Sequence, residues 1–435
     1  MKKVIALLFA ILLTVTVVYA QKTWLGTSSD WNEASNWSPN GVPGSTDDVT
    51  IPATANDPTL SVNANTNALL LGTGATLTIN ANGVLYVKGA QNLSGLRING
   101  ALNNNGQILI DDLTGGSNLG IWIDANGSVN NRGSIMIGSS SGTGNTGILN
   151  LGNFTNGEDG SILIVNTGQN GIENGKPTIN GNAVFVNRGY IGVGVEGAIP
   201  KNGIANATTF TNKKPGYIET ANTSAFAIVN QGSFYNGHRL RLDAPPHMGL
   251  NNRAKGNVNS TLAEFVNANC ATISLFGRIL NSDKITNNGF FSLLSVSAPS
   301  VTGQLINNGV MAEADDYLPY GSGLVNNEMI LRPVEAVHCG TIPSVFDLGS
   351  PAHLKITGVF TDFAATSPAG SYDRMGNTFS PAIGAGDYTL YVKIKDPANN
   401  CDAILPWKLN LLPAMPDAQC QDISVSLNAQ GIVQL

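Results

Sequence analysis

One short phrase returns along the middle of the chain at a nearly constant spacing. It consists of Asn, a short spacer, Gly, and then apolar residues that alternate with small polar ones. A period of about 20 to 50 residues is typical of stacked repeats, in which one copy cannot fold alone. The glycines of five copies are separated by 27, 27, 29 and 27 residues: Gly106, Gly133, Gly160, Gly189 and Gly216. Weaker copies follow at residues 287–289 and 307–309, and a last one at 326–327.

The alternation inside each copy indicates short strands. Ile108 and Ile110 are separated by one residue, as are Ile135 and Ile137, which is the period of a strand and not of a helix. Asn and Gly readily adopt turn conformations, so the phrase marks the corner between two strands. Asn side chains at equivalent corners of stacked coils can also form hydrogen-bonded ladders.

The fold that fits these repeats best is a parallel β-helix, an all-β solenoid in which each coil contributes two or three strands. With strands stacked about 4.8 Å apart, roughly ten coils between residues 61 and 330 would form a rod about 50 Å long. A series of small β-sandwiches is the alternative, but it would require repeats of about 80 to 100 residues. We therefore predict a β-helix over residues 61–332.

Three of the five tryptophans of the chain lie close together before the repeats, at Trp24, Trp31 and Trp37. A solenoid needs its terminal coil covered, because that coil would otherwise expose an unpaired strand edge. We predict that residues 21–60 form a Trp-rich cap. The alternative is that the three indoles form a platform on which a sugar stacks.

The repeat phrase stops near residue 333, and prolines become frequent. Alternating apolar runs over residues 354–360, 386–393 and 404–412 predict strands of an antiparallel sheet. We predict a small immunoglobulin-like β-sandwich over residues 333–418. Residues 419–435 are expected to begin a further module that the chain truncates.

The first twenty residues have the pattern of an export signal. Lys2 and Lys3 precede an apolar run over residues 4–18, and Val18 and Ala20 occupy the −3 and −1 positions of a cleavage site. The run is short for a bilayer, so an uncleaved membrane anchor is the less favoured alternative. We predict a cleaved signal peptide over residues 1–20 and an exported chain without a transmembrane segment.

The composition excludes one class of partner. Charged residues make up 12% of the chain and the net charge is −6, so the chain lacks the basic footprint of a nucleic-acid-binding protein. Of 52 Asn, 43 lie between residues 61 and 330, so the Asn content follows the repeat corners and does not by itself indicate a binding activity.

Four cysteines can be oxidised in an exported protein, and three pairings are open to them. None stands in a C-x-x-C or His/Cys cluster, so a zinc site is not predicted. We predict a disulfide between Cys339 and Cys401, because both fall in the C-terminal unit. Cys270 would then be a buried free thiol, and Cys420 would await a partner beyond the end of the chain.

The densest polar patch follows His238. Arg239, Arg241 and Asp243 alternate and are expected to project from one face of a strand. They could contact an acidic sugar. The favoured interpretation is an exposed strand face with an internal ion pair.

Other acidic residues are weaker candidates for catalysis. Asp111 and Asp112 are neighbours, as are Asp315 and Asp316, and neighbours in a strand point to opposite faces. Glu313 could share a face with Asp315, and a solvated loop is the alternative. No nucleophile elbow, phosphate loop or His-Glu-x-x-His motif occurs, so we predict no catalytic residue, metal or cofactor.

A family resemblance rests on both ends of the chain. The Trp-rich segment followed by Asn–Gly repeats resembles large secreted surface proteins of gliding-type Gram-negative bacteria. Residues 386–401 resemble the end of a hyalin-repeat-like module, and residues 420–428 resemble the first strand of another. The resemblance implies an adhesin-like protein of the cell surface or the medium, of a kind usually sorted by a C-terminal domain.

Two functions from different classes follow. The first is a secreted or cell-surface β-helical protein of structural or adhesin-like type, non-catalytic, which binds an extracellular glycan or a surface. The alternative is a polysaccharide lyase or glycoside hydrolase of the β-helix type. Acidic and basic side chains gathered near Asp243 or Asp315 in one groove would favour the enzyme.

Overall fold

The computed structural model describes most of the chain from Ala20 onward. The described residues are 20–90, 93–111, 113, 118–140, 142–178, 181–243, 249–253, 263–294, 300–313, 323–338, 346–347, 354–375 and 378–413. Residues 1–19 of the predicted signal peptide lie outside this set, as do Cys339 and Cys420. Among the described residues, no helix is long and apolar enough to cross a membrane.

The predicted parallel β-helix is confirmed. Three long sheets run along the solenoid, and each regular coil adds one strand to each of them. We call them the first, second and third sheets, in the order in which the chain visits them.

The first sheet has 13 strands, of which only the pair at its N-terminal edge is antiparallel. Its strands, in spatial order, are Trp37–Ser38, Ala20–Trp24, Asp47–Ile51, Ala68–Leu71, Ser94–Ile98, Leu119–Ile123, Ile148–Asn150, Ile172–Asn174, Ile204–Asn206, Ile228–Asn230, Leu250–Asn252, Ile279–Asn281 and Ser300–Val301.

The second sheet has 12 parallel strands. They are Thr59–Leu60, Thr76–Ile79, Ala101–Asn104, Ser128–Asn131, Asn153–Asn156, Val184–Asn187, Thr209–Asn212, Ser233–Asn236, Glu264–Asn267, Lys284–Asn287, Gln304–Asn307 and Leu324–Asn326.

The third sheet also has 12 parallel strands. They are Asn63–Thr66, Val84–Val87, Gln107–Ile110, Ser134–Ile137, Ser161–Ile164, Tyr190–Val193, Tyr217–Thr220, Arg239–Asp243, Thr272–Phe276, Phe290–Leu293, Val310–Glu313 and Met329–Leu331.

The coils are more numerous than the sequence estimate of ten, because they shorten toward the C-terminus. Consecutive corner asparagines are 27, 25 and 31 residues apart between Asn104 and Asn187, but only 20, 20 and 19 apart between Asn267 and Asn326. The second-sheet strands keep four residues from Thr76–Ile79 to Gln304–Asn307, whereas the first-sheet strands shorten from five residues at Leu119–Ile123 to three at Ile148–Asn150. The larger difference lies in the connections, and the period of 27 residues came only from the glycines between Gly106 and Gly216.

Two buried asparagine ladders run along the solenoid. In each, the Nδ2 of one Asn donates to the Oδ1 of the Asn one coil further on, at 2.7–2.9 Å. One ladder follows the second-sheet strands and the other follows the first-sheet strands. Their members are Asn104, Asn131, Asn156, Asn187, Asn212, Asn236, Asn267, Asn287, Asn307 and Asn326, and Asn150, Asn174, Asn206, Asn230, Asn252 and Asn281.

A phenylalanine stack lies beside the ladder of the second-sheet strands. Phe154, Phe185, Phe210, Phe234 and Phe265 are fully buried, and consecutive rings are 4.6–4.9 Å apart and within 6° of parallel. The Asn ladder satisfies the polar atoms at the corner while the Phe stack fills the interior next to it. Together they fix the register of each coil on the one before it.

The N-terminal tryptophans close the solenoid core. Trp24, Trp31 and Trp37 are 1%, 0% and 1% exposed and belong to the same apolar core as the coils. Trp37 meets the other two edge-on, at ring separations of 4.9 and 4.8 Å. A short 3-10 helix, Ala34–Asn36, leads into the strand that carries Trp37.

The predicted β-sandwich follows the solenoid. One sheet consists of Val334–His338, Cys401–Pro413, Gly386–Asp396 and Lys355–Phe360, and the other of Phe346–Asp347, Thr378–Pro381 and Gly370–Asp373. Phe379 of the smaller sheet meets Trp407 of the larger one edge-on, at 6.0 Å between the rings.

The sandwich packs on the outer face of the third sheet, over its last three strands. The solenoid contributes outward side chains that would otherwise be exposed, namely Phe290, Val310, Ala312, Met329 and Leu331, to one apolar cluster with the sandwich core. The indole Nε1 of Trp407 donates to the carbonyl oxygen of Arg332 at 2.7 Å. The solenoid and the sandwich therefore share one apolar cluster and are not joined by a linker alone.

The predicted disulfide between Cys339 and Cys401 is wrong, and so is the prediction that Cys270 is a free thiol. Cys270 is bonded to Cys401, across 131 residues of sequence. Cys270 lies at a corner between the second and third sheets, and Cys401 lies where the long hairpin of the sandwich turns. The prediction assumed that the sandwich stands apart from the solenoid, whereas the hairpin reaches back along it.

Loss of this disulfide is expected to loosen the sandwich. Replacing Cys270 by Ser should lower the free energy of unfolding by about 2–4 kcal/mol, because the bond closes a long loop in the unfolded chain. Urea denaturation of the variant and of the wild-type chain measures the difference. A non-reducing digest in which Cys401 is linked to Cys339, and not to Cys270, would contradict the pairing.

Candidate functional site

The outer face of the third sheet carries two rows of side chains that run along the solenoid. They come from the first and third residues of each strand, since alternate residues point to opposite faces. The register places Tyr190, Tyr217 and Arg239 in one row. Gly192, Glu219 and Arg241 form the other, next to the first. We call the patch made by these six residues and Asp243 the third-sheet patch.

Tyr190 lies across the sheet because its neighbour has no side chain. A Cβ on Gly192 would lie 2.5 Å from the hydroxyl oxygen of Tyr190 and 3.0 Å from Cζ, so the ring occupies the space that a side chain would fill. The residue is half-buried, and the hydroxyl end of its ring lies over Gly192. Part of the Tyr190 ring therefore remains accessible on the outer face of the third sheet.

Tyr217 and Arg239 continue the row. The rings of Tyr190 and Tyr217 are 5.7 Å apart and inclined at 47°. The Arg239 guanidinium carbon lies 4.9 Å from the centre of the Tyr217 ring, which is cation–π geometry. Stacking orients the guanidinium without occupying its N–H donors.

Arg241 is held by two carboxylates. Its Nη1 lies 3.5 Å from Oε1 of Glu219, and its Nη2 lies 3.2 Å from Oδ2 of Asp243. Desolvation lowers the pKa of Arg241, but Glu219 and Asp243 outweigh it, so the pKa is raised. The predicted ion pair within this strand is therefore present, and Glu219 of the neighbouring strand extends it into a triad.

The tyrosine hydroxyls keep their protons at neutral pH. Desolvation raises the pKa of Tyr190, and Glu219 and Glu196 raise it further. Desolvation and Glu219 likewise raise the pKa of Tyr217, against the lowering effect of Arg239 and Arg241. The Tyr217 hydroxyl is hydrogen-bonded to the Glu219 side chain, whereas the protonated Tyr190 hydroxyl can donate to a polar ligand.

The sandwich bounds the patch on its C-terminal side. The next strand of the third sheet, Thr272–Phe276, presents Thr272 and Ser274 outward, and the strands after it are covered by the sandwich. The Cys270–Cys401 disulfide fixes the turn of the sandwich hairpin beside that strand. The third-sheet patch is therefore bordered by the sandwich on its C-terminal side, and on its other side the outer face of the third sheet continues toward the N-terminus.

The other predicted site residues do not join this patch. The buried indoles of Trp24, Trp31 and Trp37 have no open face, so they cannot form the sugar platform that the sequence left open. Asp111 accepts hydrogen bonds from the hydroxyl and amide of Ser139 and Ser140, one coil on. Glu313 ends a third-sheet strand, and Asp112, Asp315 and Asp316 lie outside the described residues.

One cluster has the composition of a metal site. The side chains of Cys270, Asp396 and Cys401 place potential ligand atoms within 4.8 Å of one another. Both sulfurs are used by the disulfide. The Asp396 carboxylate accepts from the backbone amides of Ala398 and Asn399 and from the side chain of Asn399. The cluster is thus explained by the hairpin turn and its cross-link.

Sequence reasoning found Arg239, Arg241 and Asp243 but missed the tyrosines and Glu219. A signal was present, because Gly189 and Gly216 are each followed by Tyr-Ile. That repetition places both tyrosines at the same position of consecutive coils. Only the register shows that Arg239 stands next in the row.

A family model described as a domain of unknown function (DUF8693) matches residues 23–211, which include the Trp-rich segment, the first coils and Tyr190, and end before Tyr217 and Arg239. Neither the curated proteins nor the solved structures contain a match to the chain.

Proposed function

We propose that this chain is a secreted or cell-surface, adhesin-like β-helical protein that binds an extracellular glycan without catalysis. The signal-peptide pattern and the resemblance to secreted surface proteins support the location. The solenoid supplies a rigid support, and the third-sheet patch supplies the contact.

The observation that carries the proposal is the half-buried Tyr190 ring over Gly192, in line with Tyr217 and Arg239. Sugar rings present apolar C–H faces and a rim of hydroxyls, so they need an aromatic surface with donors and acceptors around it. Tyr190 offers the surface. Glu219 on the next strand, and Arg239 and Arg241 on the strand after it, add groups that can bond to hydroxyls.

The enzyme alternative has one observation in its favour, the carboxylates of Glu219 and Asp243 on one face. In a glycosidase, two carboxylates flank the scissile bond with room for the sugar between them. Here the space between them holds the Arg241 guanidinium. Release of reducing ends or unsaturated products that is lost in both Glu219→Gln and Asp243→Asn would establish the enzyme in place of the binding protein.

Replacing Tyr190 by Ala is expected to weaken glycan binding by about tenfold or more, because the stacking surface is lost. Tyr235→Ala is the matched control, since Tyr235 is an exposed tyrosine on the outer face of the second sheet. Both variants and the wild-type chain are compared on an array of extracellular polysaccharides. Equal loss in the two variants, or no binding by the wild-type chain, would contradict the proposal.

A further inference from the structure

Positive charge gathers at the edge of the third-sheet patch. Lys213 and Lys214 are exposed at the corner that precedes Tyr217, and Arg239 is exposed one coil further on. The second-sheet strands before these corners are paired in register, Asn212 with Asn236, so the two corners stack directly. We call Lys213, Lys214 and Arg239 the basic corner.

These cations differ from the neighbouring arginines in their partners. Arg188, one coil earlier, lies 3.9 Å from Glu158, and Arg241 contacts Glu219 and Asp243. Within the described part of the chain, no carboxylate forms an ion pair with any residue of the basic corner. Three uncompensated positive charges in two adjacent coils contrast with the net charge of −6 of the chain.

The geometry of Arg239 suits an anionic group. Its guanidinium is stacked on Tyr217, which fixes its plane and leaves its N–H edges free. A fixed guanidinium edge matches a carboxylate or a sulfate, which can accept two parallel hydrogen bonds. His238 beside it stays neutral, because desolvation and the nearby Lys214 and Arg239 lower its pKa.

We propose that the ligand is an anionic glycan, which places a carboxylate or sulfate group at the basic corner while a sugar ring stacks on Tyr190. This inference rests on the proposed function and specifies the class of glycan. Tyr190 and Arg239 belong to strands two spacings apart, about 10 Å, so the ligand is an oligosaccharide that runs along the solenoid axis.

A nucleic acid is the other polyanion that such a corner could attract. Nucleic-acid sites cover many phosphates and rely on a broad basic surface. The basic corner holds three cations, and carboxylates at Glu219 and Asp243 adjoin it. The small number of cations, with carboxylates beside them, therefore favours a glycan that places one or two anionic groups at the basic corner.

The experiment compares matched anionic and neutral polymers. Polygalacturonate is compared with its methyl ester, and dextran sulfate with dextran, so that the two kinds of anion are tested separately. The wild-type chain should bind at least one anionic form about tenfold or more tightly than its neutral counterpart, as expected for charge-assisted hydrogen bonds. Single-stranded DNA serves as the competing polyanion.

Variants then locate the effect. Arg239→Gln should remove most of the preference for the anionic form, and Arg239→Lys should restore part of it. Lys88→Gln removes one exposed positive charge directly after the third-sheet strand Val84–Val87, far from the basic corner, and should change nothing. Circular dichroism shows that each variant is folded.

Three outcomes would overturn the inference. Neutral and anionic forms could bind equally while Tyr190→Ala still abolishes binding, in which case the proposed function stands and the ligand class is wrong. DNA could bind as tightly as the anionic glycans through Arg239, which would make the partner a nucleic acid. If no glycan binds the wild-type chain, the proposed function fails as well.

Discussion

Replacing Asn131 by Asp is expected to lower the free energy of unfolding by about 3–5 kcal/mol, the effect of leaving a buried charge without a partner. Asn131 is fully buried. Its Oδ1 accepts from Nδ2 of Asn104 and its Nδ2 donates to Oδ1 of Asn156, both at 2.7 Å. The carboxylate of an aspartate has no N–H donor, so one of its oxygens would face the side-chain oxygen Oδ1 of Asn156.

The neighbouring residue provides the control. Asn130 belongs to the same strand but points outward and is exposed. Asn130→Asp makes the same chemical change in water and should alter stability by no more than about 0.5 kcal/mol. Urea denaturation of both variants measures the two values. Equal, small effects would mean that the ladder is not a source of stability.

The second large effect is expected at the corner glycines. A Cβ on Gly133 would lie 2.0 Å from the carbonyl oxygen of Gly106, and the contact involves backbone on both sides. A change of side-chain rotamer in a neighbouring residue cannot relieve this contact. Gly133→Ala should therefore force the coils apart and lower the free energy of unfolding by about 3 kcal/mol or more. The midpoint of urea denaturation should fall accordingly.

Gly181 is the matched control for this substitution. A Cβ added to Gly181 meets no atom within 4 Å. Gly181→Ala should therefore be neutral or slightly stabilising, because alanine reduces the freedom of the unfolded chain. If Gly133→Ala were equally harmless, the close stacking of coils at this corner would be contradicted.

These two positions explain why the repeat was readable from the sequence. In the phrase Asn, spacer, Gly, the Asn is a buried side-chain amide that hydrogen-bonds to the next coil. The Gly lies so close to the backbone of the preceding coil that a side chain would not fit there. Asn131 and Gly133 belong to one copy, and Asn104 and Gly106 to the copy before it. Both requirements are local and recur in most coils, so they produce a periodic pattern in the sequence.

The same reasoning could have found more of the interior. The phrase Phe-x-Asn recurs at Phe154, Phe185, Phe210, Phe234 and Phe265, and it encodes the stack beside the first ladder. Ile-x-Asn, as in Ile148–Asn150, marks the second ladder. These signals were present but were masked by the more frequent Asn–Gly step.

The position of the sandwich could not be predicted in this way. Its contact with the solenoid joins Trp407 to Arg332 and Cys401 to Cys270, and neither pair has a repeating or neighbouring counterpart in the sequence. The outward apolar residues of the last coils, such as Phe290 and Val310, gave the one hint. A strand with apolar residues on both faces indicates that another part of the protein covers its outer face.

The third-sheet patch could be predicted from the sequence only in part. Arg239, Arg241 and Asp243 were visible because they alternate within one strand. Tyr190 and Glu219 contribute from other coils, and the distance between coils in sequence varies. The register that brings them together depends on the length of each connection, which local patterns do not fix.

The most direct test of the glycan-binding proposal is a crystal structure of the chain with an oligosaccharide of the anionic glycan that binds it. We expect a sugar ring over the exposed face of Tyr190 and a carboxylate or sulfate at the guanidinium of Arg239. A sugar bound elsewhere on the solenoid or on the sandwich, with the third-sheet patch free, would contradict it.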